Sequence, residues 1–94
     1  MNKARIAEMT RRLAVLATTD LVIEDQSKRH AGHAGAKSGG GHFVLKLVSS
    51  QFAGQPQLQR HRAVYAALGD MLRTEIHALQ IVALTPQEAG EQNL

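Results

Sequence analysis

Five histidines stand in a chain that has no cysteine. Neutral imidazole is the commonest metal ligand among side chains, so this composition raises coordination chemistry first. His30, His33 and His42 fall in one glycine-rich stretch, "RHAGHAGAKSGGGHF" at 29–43. His61 stands between Arg60 and Arg62, and His77 opens the apolar run "IHALQIVAL". Two histidines leave a tetrahedral site half filled, and the chain has no thiolate to complete it. Spacing alone thus argues against a self-sufficient metalloenzyme. Each histidine also has a plainer reading. His30 and His33 suit a solvated loop, His42 the packing of a strand start, and His61 a hydrogen bond to the preceding turn.

Other chemistries fail on pattern. "SGGGHF" lacks the lysine of a phosphate loop and leads into a strand, so no helix dipole faces it. Glu24 and Asp25 are neighbours in a strand and point to opposite faces, which rules out a carboxylate pair. The serines assemble into no triad. The sequence does not read as an enzyme.

The elements that must position these residues follow from periodicity. Ile6, Met9, Leu13 and Leu16 recur at spacings of three and four, which predicts a helix from 3 to about 17 with Asn2 as its cap. "LVIED" at 21–25 and "HFVLKLVSS" at 42–50 read as strands, the second with Phe43, Leu45 and Leu47 on one face. Joined by the glycine-rich segment, they form a hairpin with a long loop. "QFAGQP" is a turn, and Pro56 suits the start of a helix over 56–73 whose core face is Leu58, Val64 or Tyr65, Leu68 and Leu72. "IHALQIVAL" at 76–84 is a third strand. "TPQE" at 85–88 is a capping box that starts a short C-terminal helix or tail. The expected class is α+β, a three-stranded mixed sheet with two main helices on one face in the order αββαβ.

Ninety-four residues make one domain, 1–94, with a core over about 3–88. The balance of 11 Lys and Arg against 8 Asp and Glu is mildly basic and spread along the chain, which permits nucleic-acid binding without indicating it. No apolar run approaches the roughly 18 residues of a membrane helix, and the N-terminus has no signal-peptide core. A cytoplasmic protein without a membrane partner is expected.

The stretches "FAGQPQLQRHRAVYAAL" and "IHALQIVALTPQE", with "EDQSKRHAGHAG", "GGGHF" and "LVSSQFAG" before them, resemble the BolA family over residues 5 to 88. The resemblance implies a fold related to the class II KH domain and a non-enzymatic partner of monothiol glutaredoxins. In such pairs a [2Fe–2S] cluster bridges the two proteins, and none is expected in the isolated chain. The glutaredoxin brings a cysteine, glutathione a second thiolate, and the BolA-like protein the histidine of I-H-A-L, here His77. The fourth ligand comes from the loop between the first two strands, here His30 or His33, with His42 ranked behind both. Imidazoles bind metal only when neutral, so such a complex should loosen as pH falls. Arg60, His61 and Arg62 match the family's R-H-R and are expected to contact the partner or glutathione. The alternative is a DNA-binding transcriptional regulator using the KH-like surface. The turn "FAGQPQLQ" lacks the G-x-x-G that clamps a nucleic-acid backbone in KH domains.

Overall fold

The apolar stripe Ile6, Met9, Leu13 and Leu16 forms the expected helix, which tightens before it ends. The structure, a computed structural model, describes residues 2–27 and 41–92. Helix α1 (Asn2–Leu13) already includes the expected cap and continues into one turn of 3-10 helix, Ala14–Leu16. Ala17 then adopts a left-handed conformation at φ 51° and turns the chain toward the sheet. Met9, Leu13 and Leu16 are buried.

Strand β1 (Asp20–Asp25) pairs antiparallel with β2 (Gly41–Val48), in a register running from Asp20 opposite Val48 to Asp25 opposite Phe43. Strand β3 (Ile76–Leu84) pairs parallel with β2 on its other side, giving the order β1-β2-β3. Phe43, Leu45 and Leu47 alternate toward the helices and are at most 2% exposed. Each contributes about 2 kcal/mol by burial. Val22, Val44, Lys46, Gln80 and Val82 face the opposite, helix-free side, all of them partly or fully exposed.

The helix expected over 56–73 is two helices. Helix α2 (Gln57–Leu68) stops at Gly69, whose φ of 58° and ψ of −129° suit glycine alone, and α3 (Met71–Thr74) follows. Its expected core face is also turned. Leu58 and Tyr65 are 60% and 43% exposed, whereas Arg60, Val64 and Leu68 point inward. The inward set repeats every four residues, and an arginine occupies its first position.

That arginine is held by four hydrogen bonds. Arg60 Nη1 donates to the Ala83 carbonyl at 3.0 Å and to Glu88 Oε1 at 2.6 Å. Nη2 donates to Glu88 Oε2 at 3.2 Å, and Nε donates to the Gln55 carbonyl at 2.8 Å. Glu88 belongs to the capping box expected at 85–88. The Thr85 N–H donates to Glu88 Oε1 at 2.9 Å, and the Glu88 N–H donates to Thr85 Oγ1 at 3.2 Å. This box starts helix α4 (Pro86–Gln92). Arg60 thereby joins α2, the end of β3 and α4. The Arg60 guanidinium, followed by the Thr85 N–H, draws the Glu88 carboxyl down to about 2.

A second arginine fastens the helix layer. Arg12 of α1 donates through Nη1 to the Leu68 carbonyl at 2.7 Å and to Asp70 Oδ1 at 2.8 Å, and through Nε to Glu8 at 2.7 Å. The end of α2 is thus tied to α1, and both helices lie over the inner sheet face. Among the described residues, no helix is long and apolar enough to cross a membrane.

Candidate functional site

Parallel pairing sets the first residues of β2 and β3 side by side, and each strand has histidine in second place. The ladder is irregular there. Gly41 pairs with Ile76 and His42 with Ala78, which leaves His77 with no residue opposite it. This bulge resets the alternation along β3. Ile76 faces the core before it, Leu79, Ile81 and Ala83 face the core after it, and His77 is put out to solvent. The His42 and His77 rings lie with centroids 4.9 Å apart and planes at 45°.

His42 is the constrained member of the pair. Its N–H donates to Ser27 Oγ at 3.0 Å, and its carbonyl accepts from the Gln26 N–H at 2.8 Å. Ser27 is itself held at the end of β1, its N–H donating to Asp25 Oδ1 at 2.8 Å. The ring is half-buried with Nε2 covered, whereas the His77 side chain is exposed. A cleft of about 230 Å³ opens beside His42, bordered also by Gln26, Val44, Ala78 and Gln80.

Gly41 sets the close approach that precedes His42. A Cβ on Gly41 would collide with the Phe43 ring. Phe43 is buried in the core. Gly41→Ala is expected to cost about 2–3 kcal/mol, read as a lower urea midpoint, and to displace the His42 backbone with Phe43. An unchanged midpoint would mean that the ring can move aside.

The pair offers nitrogen donors only. Two imidazoles on one tetrahedral metal, each bound at about 2.0 Å, hold their ring centres about 5 Å apart. The observed spacing fits that arrangement. Among the described residues, no group of three or more His, Asp or Glu side chains could hold a metal. Two imidazoles alone leave a tetrahedral metal two ligands short.

The other expected site residues separate. His30 and His33 lie outside the described residues. Arg60 is 5% exposed, its guanidinium bonded to Gln55, Ala83 and Glu88. His61 is half-buried and Arg62 exposed. Arg60 reaches Ala83, six residues along β3 from His77, a separation of about 20 Å at strand rise. The R-H-R segment and His77 therefore occupy opposite ends of the strand. The sequence ranks His42 behind the loop histidines because it is fixed at the strand start. The available signal was that "GH" and "IH" each open a strand, which matters once the two strands run parallel.

A sequence profile of BolA-like proteins matches residues 13–88. The chain is 48% identical over 81 residues to the chloroplastic BOLA1 protein of Arabidopsis thaliana, a match covering 83% of this chain and 51% of that protein. It is 39% identical over 88 residues to the DNA-binding transcriptional regulator BolA of Escherichia coli, covering 94% of this chain and 79% of the regulator. The solved structure of BolA1 from Arabidopsis thaliana superposes with a TM-score of 0.75 at 45% identity, covering 87% of this chain and 92% of the other. This chain thus spans about half the length of the plant BOLA1 protein. Core strands, capping box, R-H-R and I-H-A-L all fall within the matched segment, and the chain belongs to the BolA-like family of non-enzymatic proteins.

Proposed function

We propose that this protein is the partner of a monothiol glutaredoxin and shares a bridging [2Fe–2S] cluster with it, in cluster trafficking or in iron and redox regulation. The observation that carries the reading is an exposed His77 beside His42, at 4.9 Å between ring centres, in a chain with no cysteine. His77 is the first ligand from this side. The second comes from His30 or His33, or from His42, which the fold holds nearest. The glutaredoxin cysteine and glutathione bring the thiolates, and the cluster carries the iron between the two proteins. The chain's own part is to present neutral nitrogen donors on a rigid strand start and to leave the rest of the coordination shell to the partner. A cytoplasmic setting belongs to the same reading.

Reconstitution tests it. The purified chain is mixed with a monothiol glutaredoxin, iron, sulfide and glutathione, and visible absorption and circular dichroism are recorded. The expected result is a spectrum distinct from that of the glutaredoxin alone with its cluster. An identical spectrum with and without this chain overturns the proposal.

A second reading, DNA binding, is favoured by the similarity to the DNA-binding transcriptional regulator BolA of Escherichia coli and by the exposure of Arg62. It predicts retardation of duplex DNA that weakens steeply with salt and with Arg62→Ala. Retardation insensitive to both counts against it.

A further inference from the structure

Strand β3 is the edge of the sheet, and one part of that edge is guarded while another is open. The Ala83 carbonyl points away from β2, because it accepts from Arg60 Nη1 at 3.0 Å and Gln57 Nε2 at 3.3 Å. The Leu84 carbonyl points toward β2, accepting from the Ser49 N–H at 2.9 Å. Alternation then turns the N–H and C=O of Leu79 and Ile81 outward, where nothing among the described residues bonds them. The edge carries none of the charges or prolines that ordinarily block strand addition, since Ile76–Leu84 contains no Lys, Arg, Asp, Glu or Pro.

We infer that this open edge pairs antiparallel with the same edge of a second copy, about a two-fold axis at Gln80, with Leu79 of one chain opposite Ile81 of the other. Self-complementarity identifies the occupant. An isologous contact sets a strand against itself, which like charges would oppose, and this strand has none. The guards fix the register. A strand opposite Ala83 would have to displace Arg60 and Gln57, and the bulge takes His77 out of line, so only Leu79 to Ile81 remain available. In that register Leu79 and Ile81, half-exposed in the single chain, cover one another, and Gln80 meets Gln80 on the helix-free face. The paired stretch is short, well below the extent of a stable interface, so the dimer is transient and forms at high protein concentration.

The absence of native cysteine makes the test direct. Residues at the axis form a non-hydrogen-bonded pair, whose Cα separation of about 4.5 Å admits a disulfide. With oxidised glutathione as oxidant, Gln80→Cys in the full chain is expected to yield linked dimer about tenfold faster than Ala78→Cys or Val82→Cys alone. A mixture of those last two variants should link to each other. In sedimentation velocity, the concentration-dependent rise of the unmodified chain should disappear in Ile81→Pro and in Gln80→Lys. The second change lies on an exposed position and does not disturb the core. Equal linking at the three positions, or a native chain that stays monomeric at high concentration, overturns the inference.

Discussion

His77→Ala is expected to abolish the mixed cluster species while leaving the protein folded. The two halves of this expectation come from one feature. His77 is exposed and has no residue opposite it in the β2–β3 ladder, so truncating its ring removes no core contact and only the ring contact with His42. The cost in stability should stay within about 0.5 kcal/mol. Under the proposed function the same truncation removes an iron ligand, and the visible spectrum should revert to that of glutaredoxin alone, with at least about tenfold less mixed complex at equal protein. His42→Ala separates the ligand from its neighbour. If His42 only orients His77, the mixed species persists with shifted bands; if it is the second ligand, the species is lost in that variant too. Retention of an unaltered spectrum by His77→Ala would remove His77 from the site.

The second large effect concerns Arg60, at the opposite end of β3. Arg60→Ala removes the donor to the Gln55 carbonyl and one of the two donors to the buried Ala83 carbonyl, and opens space over Phe52, whose ring centroid lies 5.9 Å from the guanidinium carbon. The expected loss is about 2–4 kcal/mol, equivalent to a fall in melting temperature of roughly 10 °C or more for a domain of this size. The partner carboxylate gives the loss a pH signature. Glu88 is held at about 2 against an ordinary value of 4.5. A carboxyl whose value is depressed by folding contributes its full stabilisation above the ordinary value and loses it as pH falls toward the folded one. Urea midpoints of the native protein should therefore decline between pH about 4.5 and about 2. Glu8, drawn down to about 2 chiefly by Arg11 and then Arg12, adds to that decline in both proteins. The Arg60→Ala variant should show a visibly shallower decline, because Glu88 has lost the largest cause of its shift. Equal slopes would show that the ion pair does not stabilise the fold.

Much of this molecule could be read without coordinates. The alternation of Phe43, Leu45 and Leu47, the stripe on α1 and the box at Thr85 and Glu88 are local patterns, and local patterns survive into the fold. β3 was read residue for residue, as 76–84. The departures have a common physical origin, which is partnership across long distances in the chain. Counting apolar residues on α2 put Leu58 inside and left Arg60 on the surface. An arginine can be buried when two carbonyls and a carboxylate receive it, and of those partners only the Gln55 carbonyl, in the preceding turn, is near it in sequence. The split at Gly69 was likewise hidden by an apolar periodicity that continues through Met71 and Leu72. The meeting of His42 and His77 also depends on the parallel order of β2 and β3, which is a property of the sheet, not of either strand.

The same parallel order decides when the site comes into being as the chain folds. A hairpin such as β1–β2 closes over a short span, but β3 can dock on β2 only after α2 and α3 have carried the chain back across the sheet. His42 and His77 therefore meet at a late and non-local step, and a chain with β3 undocked keeps both histidines yet has no site. A ligand held by both would bind only the completed domain and would stabilise it as a whole. Metal or cluster occupancy would then slow hydrogen exchange throughout the β2–β3 ladder, and not at the two histidines alone.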